Sequence, residues 1–480
     1  MKCFLSKITV LGMVFAILSC VTSSALKFTP GTYQGTAPGY NGDITMEVTV
    51  DAGRILSIRT VSQNDTPEGS GLAYERIPQA IIDGQTLAVD GVSGATFSSD
   101  GIIAAVTAAL EKSGVDINAL QTKGKAATGP VKRSLVAEKA DVVVIGAGGA
   151  GLAAGISASQ NGAKVIILEK MPRAGGNTII SGAAYNAVDP ERQKPQGIED
   201  STDLHFTQTY EGGDKVGDPV LVRTLVEGSL PALHWMESMG MEFTPDVFTV
   251  LGGLWPRAHR PVKPLGTGYI ETDLNYIKLH SDQITILYDT KAAELIVKDG
   301  RVTGVKASGP DKDYEFTASK GVVIATGGFG ANKELRQKYN TQWPDLTNAG
   351  TTNHPGATGD GLVMAEAAGA NFVGMEYVQL LPMGDPKTGS LSGNIEQAVE
   401  DRFFVNKDGN RFVDEGARRD VMTLALFQQR DAFMWVICDK HSYPTPQVKN
   451  NFNESIEELI QQGRAFGADT IEELAGKIGV

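Results

Sequence analysis

Three cysteines stand in 480 residues, at positions 3, 20 and 438, and none belongs to a CxxC pair. That scarcity excludes a disulfide framework, a cysteine-based zinc or iron–sulfur site and a CxxCH haem attachment. No metal site is expected, and any electron transfer must use organic cofactors. Basic residues are also short: 43 Lys and Arg face 56 Asp and Glu, a net charge of −13. A general nucleic-acid or anionic-membrane binder needs a basic surface, so both classes are disfavoured. The apolar run at 8–18 falls short of the ~20 residues that a bilayer-crossing helix needs. What the chain has in excess is glycine, 56 residues, and they cluster. Clustered glycine points to ligand sites lined by backbone.

The 8–18 run follows Lys2 and Lys7 and leads into small residues ending at Ser23 and Ala25. This is the order of a secretory signal peptide, so we expect cleavage before Leu26 and export, for example to the periplasm. The mature chain is not expected to be an integral membrane protein. Residues 44–50 alternate apolar and polar as a half-buried strand does, 51–54 make a turn, and 55–61 form a second strand. Apolar residues at helical spacing then run over 99–112. Residues 121–138 carry Gly, Pro and Lys without periodicity and read as a linker. The expected division is a signal peptide at 1–25, a small domain at 26–125 and a linker at 126–138. A nucleotide-binding domain at 139–375 and a further domain at 376–480 complete it.

Ahead of the 99–112 helix stands Asp90-Gly-Val-Ser93-Gly94-Ala95-Thr96. Gly91 and Gly94 permit tight backbone geometry. Ser93 and Thr96 place hydroxyls beside a helix N-terminus, where an anion such as phosphate is favoured. Taken alone, the same residues also suit a helix cap with a glycine turn. The run resembles the flavinylation motif of FMN-binding domains found in exported electron-transfer proteins. The resemblance implies that Thr96 carries FMN as a phosphoester, installed by a flavin transferase, with Ser93, Gly94 and Ala95 completing the motif.

Residues 141–151 read DVVVIGAGGAG, a β-branched strand followed by Gly146, Ala147, Gly148 and Gly151. The spacing is G-x-G-x-x-G, in which the glycines turn the chain, admit a pyrophosphate and let helix and strand pack. A helix over 152–161 and a strand over 164–168 follow, and Glu169 is placed to hold a ribose hydroxyl. Glycines alone do not separate NAD from FAD. Lys170, Gly175, Gly176, Asn177, Thr178, Ser181 and Gly182 resemble the FAD-binding segment of the fumarate reductase and succinate dehydrogenase flavoproteins. Two further stretches match that family, around Ala325, Thr326, Gly327 and Gly328, and around Thr358, Gly359 and Asp360. The turn at Asp299-Gly300 fits the antiparallel hairpin these proteins carry. The fold class implied is a Rossmann-like α/β FAD domain with an inserted α+β capping domain, preceded by the small α+β FMN-binding domain. FAD would be held non-covalently.

The resemblance extends to soluble bacterial reductases of fumarate, urocanate and related enoates, and so implies reduction of a small unsaturated carboxylate. Electrons would come from a quinol-linked or other donor and pass through FMN to FAD. Family members use an arginine as proton donor, in a segment N-x-x-G-x-R-F-x-[ND]-E-x-x-x-R-D. Residues 406–420 match it and place the donor at Arg419, with Arg411 and Arg418 as neighbours. An acid upstream relays protons to it, and Glu396 is the candidate, with Glu400 and Asp401 as rivals. Leu381 stands where fumarate reductases have a substrate-binding His. An apolar side chain cannot satisfy a buried carboxylate, so the expected substrate has one carboxylate and an aryl, heteroaryl or alkyl far end. Arg257, His259 and Arg260 match a family segment without an assigned role. The family continues past the arginine segment with motifs that this sequence does not contain, so the capping domain is expected to be incomplete. Other readings are a fumarate reductase proper, or a truncated and inactive flavin-binding electron carrier. A ketosteroid dehydrogenase or aspartate oxidase on the same fold would lack the Thr96 module.

Overall fold

The computed structural model describes residues 26–480 apart from 40–42, 64–66, 90, 93–95, 123–132, 251–252, 311, 386–388, 390, 392, 396–401 and 451–453. At 67–70, 72, 96 and 97 it describes backbone alone. The first 25 residues, where the signal peptide is expected, therefore lie outside the described residues.

Strands Gly31–Pro38, Asp43–Val50 and Ile55–Ser62 pair antiparallel in chain order. The alternation read in the sequence turns Ile44, Met46, Val48 and Val50 inward, each at most 2% exposed. Thr45 faces out and shares a hydroxyl hydrogen bond with Thr36 at 2.9 Å. Asp51 closes the turn by accepting from the N–H groups of Gly53 and Arg54 at 2.8 and 2.7 Å. Helices Pro67–Gly84 and Thr96–Glu111 pack on the inner face, and Ile117–Thr122 follows. Their Ile77, Ile81, Ile102, Val106 and Leu120 join the strand residues in one core. The helix at 96–111 starts three residues before the expected 99. Helix Pro67–Gly84 escapes a periodicity reading because Pro78 lies inside it and Gly71 interrupts its apolar stripe.

The second domain is built on strand Ser134–Ile145, which runs parallel to Lys312–Ile324 from Ser134 beside Lys312 to Ile145 beside Ile324. On its other side lie Val165–Leu168 and then Ile284–Leu287, also parallel. The linker expected at 126–138 is thus corrected: residues 134–138 are the first part of this strand. Their side chains are largely exposed, Leu135 by 67%, so no burial pattern marks them as strand. Strands Lys291–Lys298 and Arg301–Ser308 form the expected hairpin. Its turn residues Asp299 and Gly300 have φ of 52° and 74°, the left-handed pair that a two-residue type I′ turn requires.

Two smaller sheets complete the chain. Tyr185–Asn186, Ala258–Pro261 and Phe243–Phe248 form one, around Ala187, Leu233, Met241 and Phe243. Arg402–Asn406 and Met434–Cys438 form the other, and helix Arg419–Phe427 contributes Met422 to its core with Met383 and Phe404. No described helix is long and apolar enough to cross a membrane.

The first domain depends on a strand and a helix meeting without a side chain between them. An ideal Cβ on Gly35 would lie 2.1 Å from the Ala105 carbonyl oxygen and 2.3 Å from the Ala109 nitrogen. Gly35→Ala should therefore destabilise this domain by about 1–3 kcal/mol. In thermal unfolding this should read as a fall of roughly 4–8 °C per kcal/mol for a domain of this size.

Candidate active site

The loop after strand Ser134–Ile145 is shaped by contacts that leave room only for glycine. Gly146 has φ of 105°, and a Cβ there would stand 2.5 Å from the Ala325 carbonyl oxygen. A Cβ on Gly151 would stand 1.9 Å from the Gly146 carbonyl oxygen, so the third glycine is what lets the helix lie against the turn. Helix Gly149–Gln160 opens at Gly148 with no side-chain cap, which leaves backbone N–H groups for an anion. Gly175, at φ of 136°, donates its N–H to the Ala147 carbonyl at 2.9 Å and forms a bridge with Gly148. Thr178 Oγ1 accepts from the Gly149 N–H at 3.1 Å. At Gly182, Gly327 and Gly328 an added Cβ would meet no atom within 4 Å. The result is a trough walled by backbone. It fits a dinucleotide diphosphate, which needs N–H donors and close approach rather than bulky side chains.

Glu169 ends strand Val165–Leu168 and is 7% exposed. Its two oxygens accept from the N–H groups of Ala147 and Met171, each at 2.8 Å. Burial raises its carboxyl above the usual range, and those two bonds offset only part of the effect. A carboxylate has about four lone-pair sites, so capacity remains for ribose hydroxyls. Lys170 Nζ reaches Thr358 Oγ1 and Asp360 Oδ2, each at 2.7 Å. Burial opposes ionisation of Asp360, but the bond from Lys170 holds its carboxyl below the usual range. The Gly359 N–H donates to the Gly328 carbonyl at 3.1 Å, and a Cβ on Gly361 would stand 2.0 Å from Thr326 Oγ1. Ser181 Oγ donates to the Thr178 carbonyl at 2.8 Å. The three stretches matched by resemblance thus converge, although about 190 residues separate the first from the last.

The structure also brings in residues that the motifs leave out. Asn177 Nδ2 donates to Asn353 Oδ1 at 2.8 Å, and Asn177 Oδ1 accepts the His354 N–H at 2.6 Å. Gly266 lies so close that a Cβ would stand 1.7 Å from the Thr178 carbonyl oxygen. Its only sequence signal is a glycine before helix Thr267–Leu279.

The three arginines of the 406–420 segment separate by partner. Arg411 is bound to Glu415, with Nη2 to Oε2 at 2.6 Å, and Glu415 in turn accepts the Phe404 N–H at 2.8 Å. Arg418 grips Asp420 and Asp214, each with a 2.7 Å contact, and these bonds strengthen its hold on its proton. Arg419, half-buried at the start of its helix, has a guanidinium with no carboxylate within ion-pair distance among the described residues. Leu381 packs on the core of Met383, Phe404 and Met422. Arg257 is 5% exposed and locked to Asp200, with Nη2 to Oδ1 at 2.7 Å. His259 is fully buried, with Nε2 3.2 Å from Asp189 Oδ2. Arg260 covers the Phe248 ring at 4.5 Å. Each of the three thus has a partner within this region. Glu396, Glu400 and Asp401 lie outside the described residues, as do Asp90, Ser93, Gly94 and Ala95. Thr96 is placed as the first residue of helix Thr96–Glu111, without its side chain. Among the described residues no cluster of His, Cys, Asp or Glu could hold a metal ion.

An FAD binding domain matches residues 141–473 and an FMN-binding domain matches 39–111. The chain is 36% identical to an NADH:acrylate oxidoreductase of Vibrio harveyi, over 95% of this chain and 51% of that protein. It is 34% identical to a urocanate reductase of Eggerthella lenta, over 98% of this chain and 79% of that protein. In structure it is similar to the open conformation of a flavocytochrome c3 fumarate reductase, with a TM-score of 0.59 and 32% identity. That likeness covers 72% of this chain and 59% of the other. The chain thus spans about half the length of some of the relatives it matches. On that extent of likeness, the chain belongs to the flavoprotein family of fumarate, urocanate and acrylate reductases.

Proposed function

We propose that this chain is the flavin-bearing core of an exported 2-enoate reductase, which reduces the C=C bond of a small unsaturated carboxylate. The observation that carries the reading is the sorting of the arginines. Arg411 and Arg418 are held by carboxylates, and among the described residues Arg419 is not. When bound, FAD supplies hydride chemistry to one alkene carbon. Arg419 delivers the proton to the other carbon, and Glu396 is the proposed acid that returns a proton to it. A guanidinium free of carboxylates has its N–H groups available to substrate, whereas a bidentate pair does not. Leu381 on an apolar core favours an acrylate with a single carboxylate and an apolar or aryl far end over dicarboxylic fumarate.

In the FMN-binding domain, Thr96 begins a helix of 16 residues, and a phosphoester there would benefit from the positive end of that helix. We propose Thr96 as the site that a flavin transferase modifies, with FMN passing electrons from a quinol-linked or other donor toward FAD. Residues 1–25 have the charge order of an export signal, and the periplasm is the proposed compartment.

Oxidation of a reduced viologen by urocanate, cinnamate, acrylate and fumarate tests the chemistry. The monocarboxylates should turn over faster than fumarate. Arg419→Gln should lower kcat about 10²–10⁴-fold while bound FAD keeps its absorbance, and Arg418→Gln should keep most activity. An undiminished rate in Arg419→Gln overturns the assignment. Thr96→Ala, expressed with a flavin transferase, should lose the flavin fluorescence that survives denaturation on a gel. FAD affinity should fall as pH is lowered through the raised Glu169 carboxyl, at higher pH than an exposed glutamate would give, because the ribose needs the carboxylate. Glu169→Gln should bind FAD weakly at all pH and lose that dependence, read by fluorescence titration.

A further inference from the structure

The loop at 351–358 is tied to the glycine-rich segment by Asn177 and to Lys170 through Thr358, and one residue in it carries a donor with no partner among the described residues. The His354 N–H is bound to Asn177 Oδ1, and Asn177 follows Gly175 and Gly176 directly. The ring is fixed from within the loop: Nδ1 accepts the Gly356 N–H at 3.1 Å. An imidazole that accepts at Nδ1 carries its proton on Nε2. The ring is also packed, since a Cβ on Gly356 would lie 3.0 Å from His354 Nδ1 and 3.3 Å from Met171 Sδ. Met171 belongs to the same segment as Glu169, whose carboxylate accepts its N–H. Nε2 meets no hydrogen-bond acceptor among the described residues. Burial, with Arg173 and Lys170 nearby, pushes the imidazole down to about 4, so the ring is neutral at working pH and donates from one nitrogen only.

We propose that His354 Nε2–H donates a hydrogen bond to FAD, which makes His354 a cofactor-binding residue supplied by the 351–358 loop. His354 Nε2 is not one of the buried polar atoms left without a partner, so water reaches it in the free protein and a ligand oxygen can take that water's place. The surroundings select the kind of acceptor. With Lys170 and Arg173 close by, an electron-rich oxygen is favoured, and FAD offers such oxygens on its diphosphate, ribityl chain and flavin ring. A neutral imidazole recognises such an oxygen without adding to the repulsion between two cations. The inference rests on FAD occupying the trough and is independent of which substrate is reduced.

Two substitutions separate this role from mere support of the loop. His354→Phe keeps a ring of similar size but removes both nitrogens. His354→Asn keeps an acceptor for the Gly356 N–H, because its amide oxygen can stand where Nδ1 does, but it has no donor at the Nε2 position. Titration of deflavinated full-length protein with FAD should show binding weakened about tenfold in His354→Phe, the cost of one lost hydrogen bond. A similar loss should persist in His354→Asn, whereas its recovery there would overturn the proposal, because only the loop contact of Nδ1 is restored. Nitrogen-15 NMR of the parent should show the His354 Nε2–H shifted and protected from exchange when FAD saturates the protein. Unchanged affinity in His354→Phe overturns the proposal. So does an Nε2 resonance that FAD leaves unmoved, even where His354→Phe binds poorly, because the residue would then act on its loop alone. Both readouts are taken without turnover, so a failure of enoate reduction leaves this test standing.

Discussion

The flavin site depends on backbone meeting backbone. The Gly146 carbonyl lies where a side chain on Gly151 would be, and the Ala325 carbonyl lies where one on Gly146 would be. These contacts draw the ends of strands Ser134–Ile145 and Lys312–Ile324 and the start of helix Gly149–Gln160 to a single point. A ligand at that point meets N–H groups at a helix N-terminus, where Thr178 already holds that of Gly149. Everything else in the trough is arranged around it. Glu169 holds Ala147 and Met171 in place, Lys170 pulls the 358–360 stretch inward, and Asn177 draws in the 351–358 loop.

Charge in this molecule is sorted by whether it has a partner. Buried Arg257 and Asp200 neutralise each other and accept or donate further bonds, the condition under which buried charge is tolerated. Arg411 clamps Glu415, which is itself hydrogen-bonded to strand Arg402–Asn406, so that pair holds this two-stranded sheet to its loop. Arg418 bridges Asp214 and Asp420 at the surface, where screening leaves an ion pair little stabilising effect. Among the described residues Arg419 has no such carboxylate, although it is next in sequence to a residue that has two. The distinction follows from helix geometry. Arg418 is the cap residue in extended conformation and Arg419 the first residue of the helix, so the two side chains leave the backbone in different directions.

Local patterns were legible where one residue type has one physical use. Asp299-Gly300 could only be a tight hairpin turn, and the alternation over 44–50 could only bury one face. The glycine spacing at 146, 148 and 151 announced its turn for the same reason. The pattern failed where burial was weak or contradictory. Residues 134–138 are strand because residues 312–316 pair with them, and nothing in their own side chains records it. Helix Pro67–Gly84 tolerates Pro78 because Ala73, Ile77 and Ile81 bury a stripe against the sheet, a gain that local propensity does not register.

The sequence by itself called for a dinucleotide site, because its glycine and acid spacings are set by backbone geometry within a few residues. That the dinucleotide is FAD, and that FMN has a site at Thr96, came from the resemblance of the motifs to known flavoproteins. The tertiary structure decided which side chains are committed and which are free. Arg418 is held by Asp420 two residues on and by Asp214 some two hundred residues away, while Arg419 has no carboxylate at ion-pair distance among the described residues. That His354 belongs to the flavin trough depends on Asn177, at a similar distance along the chain. Hydrogen bonds and ion pairs act over a few ångströms of space whatever the separation in sequence, so only the folded chain assigns them.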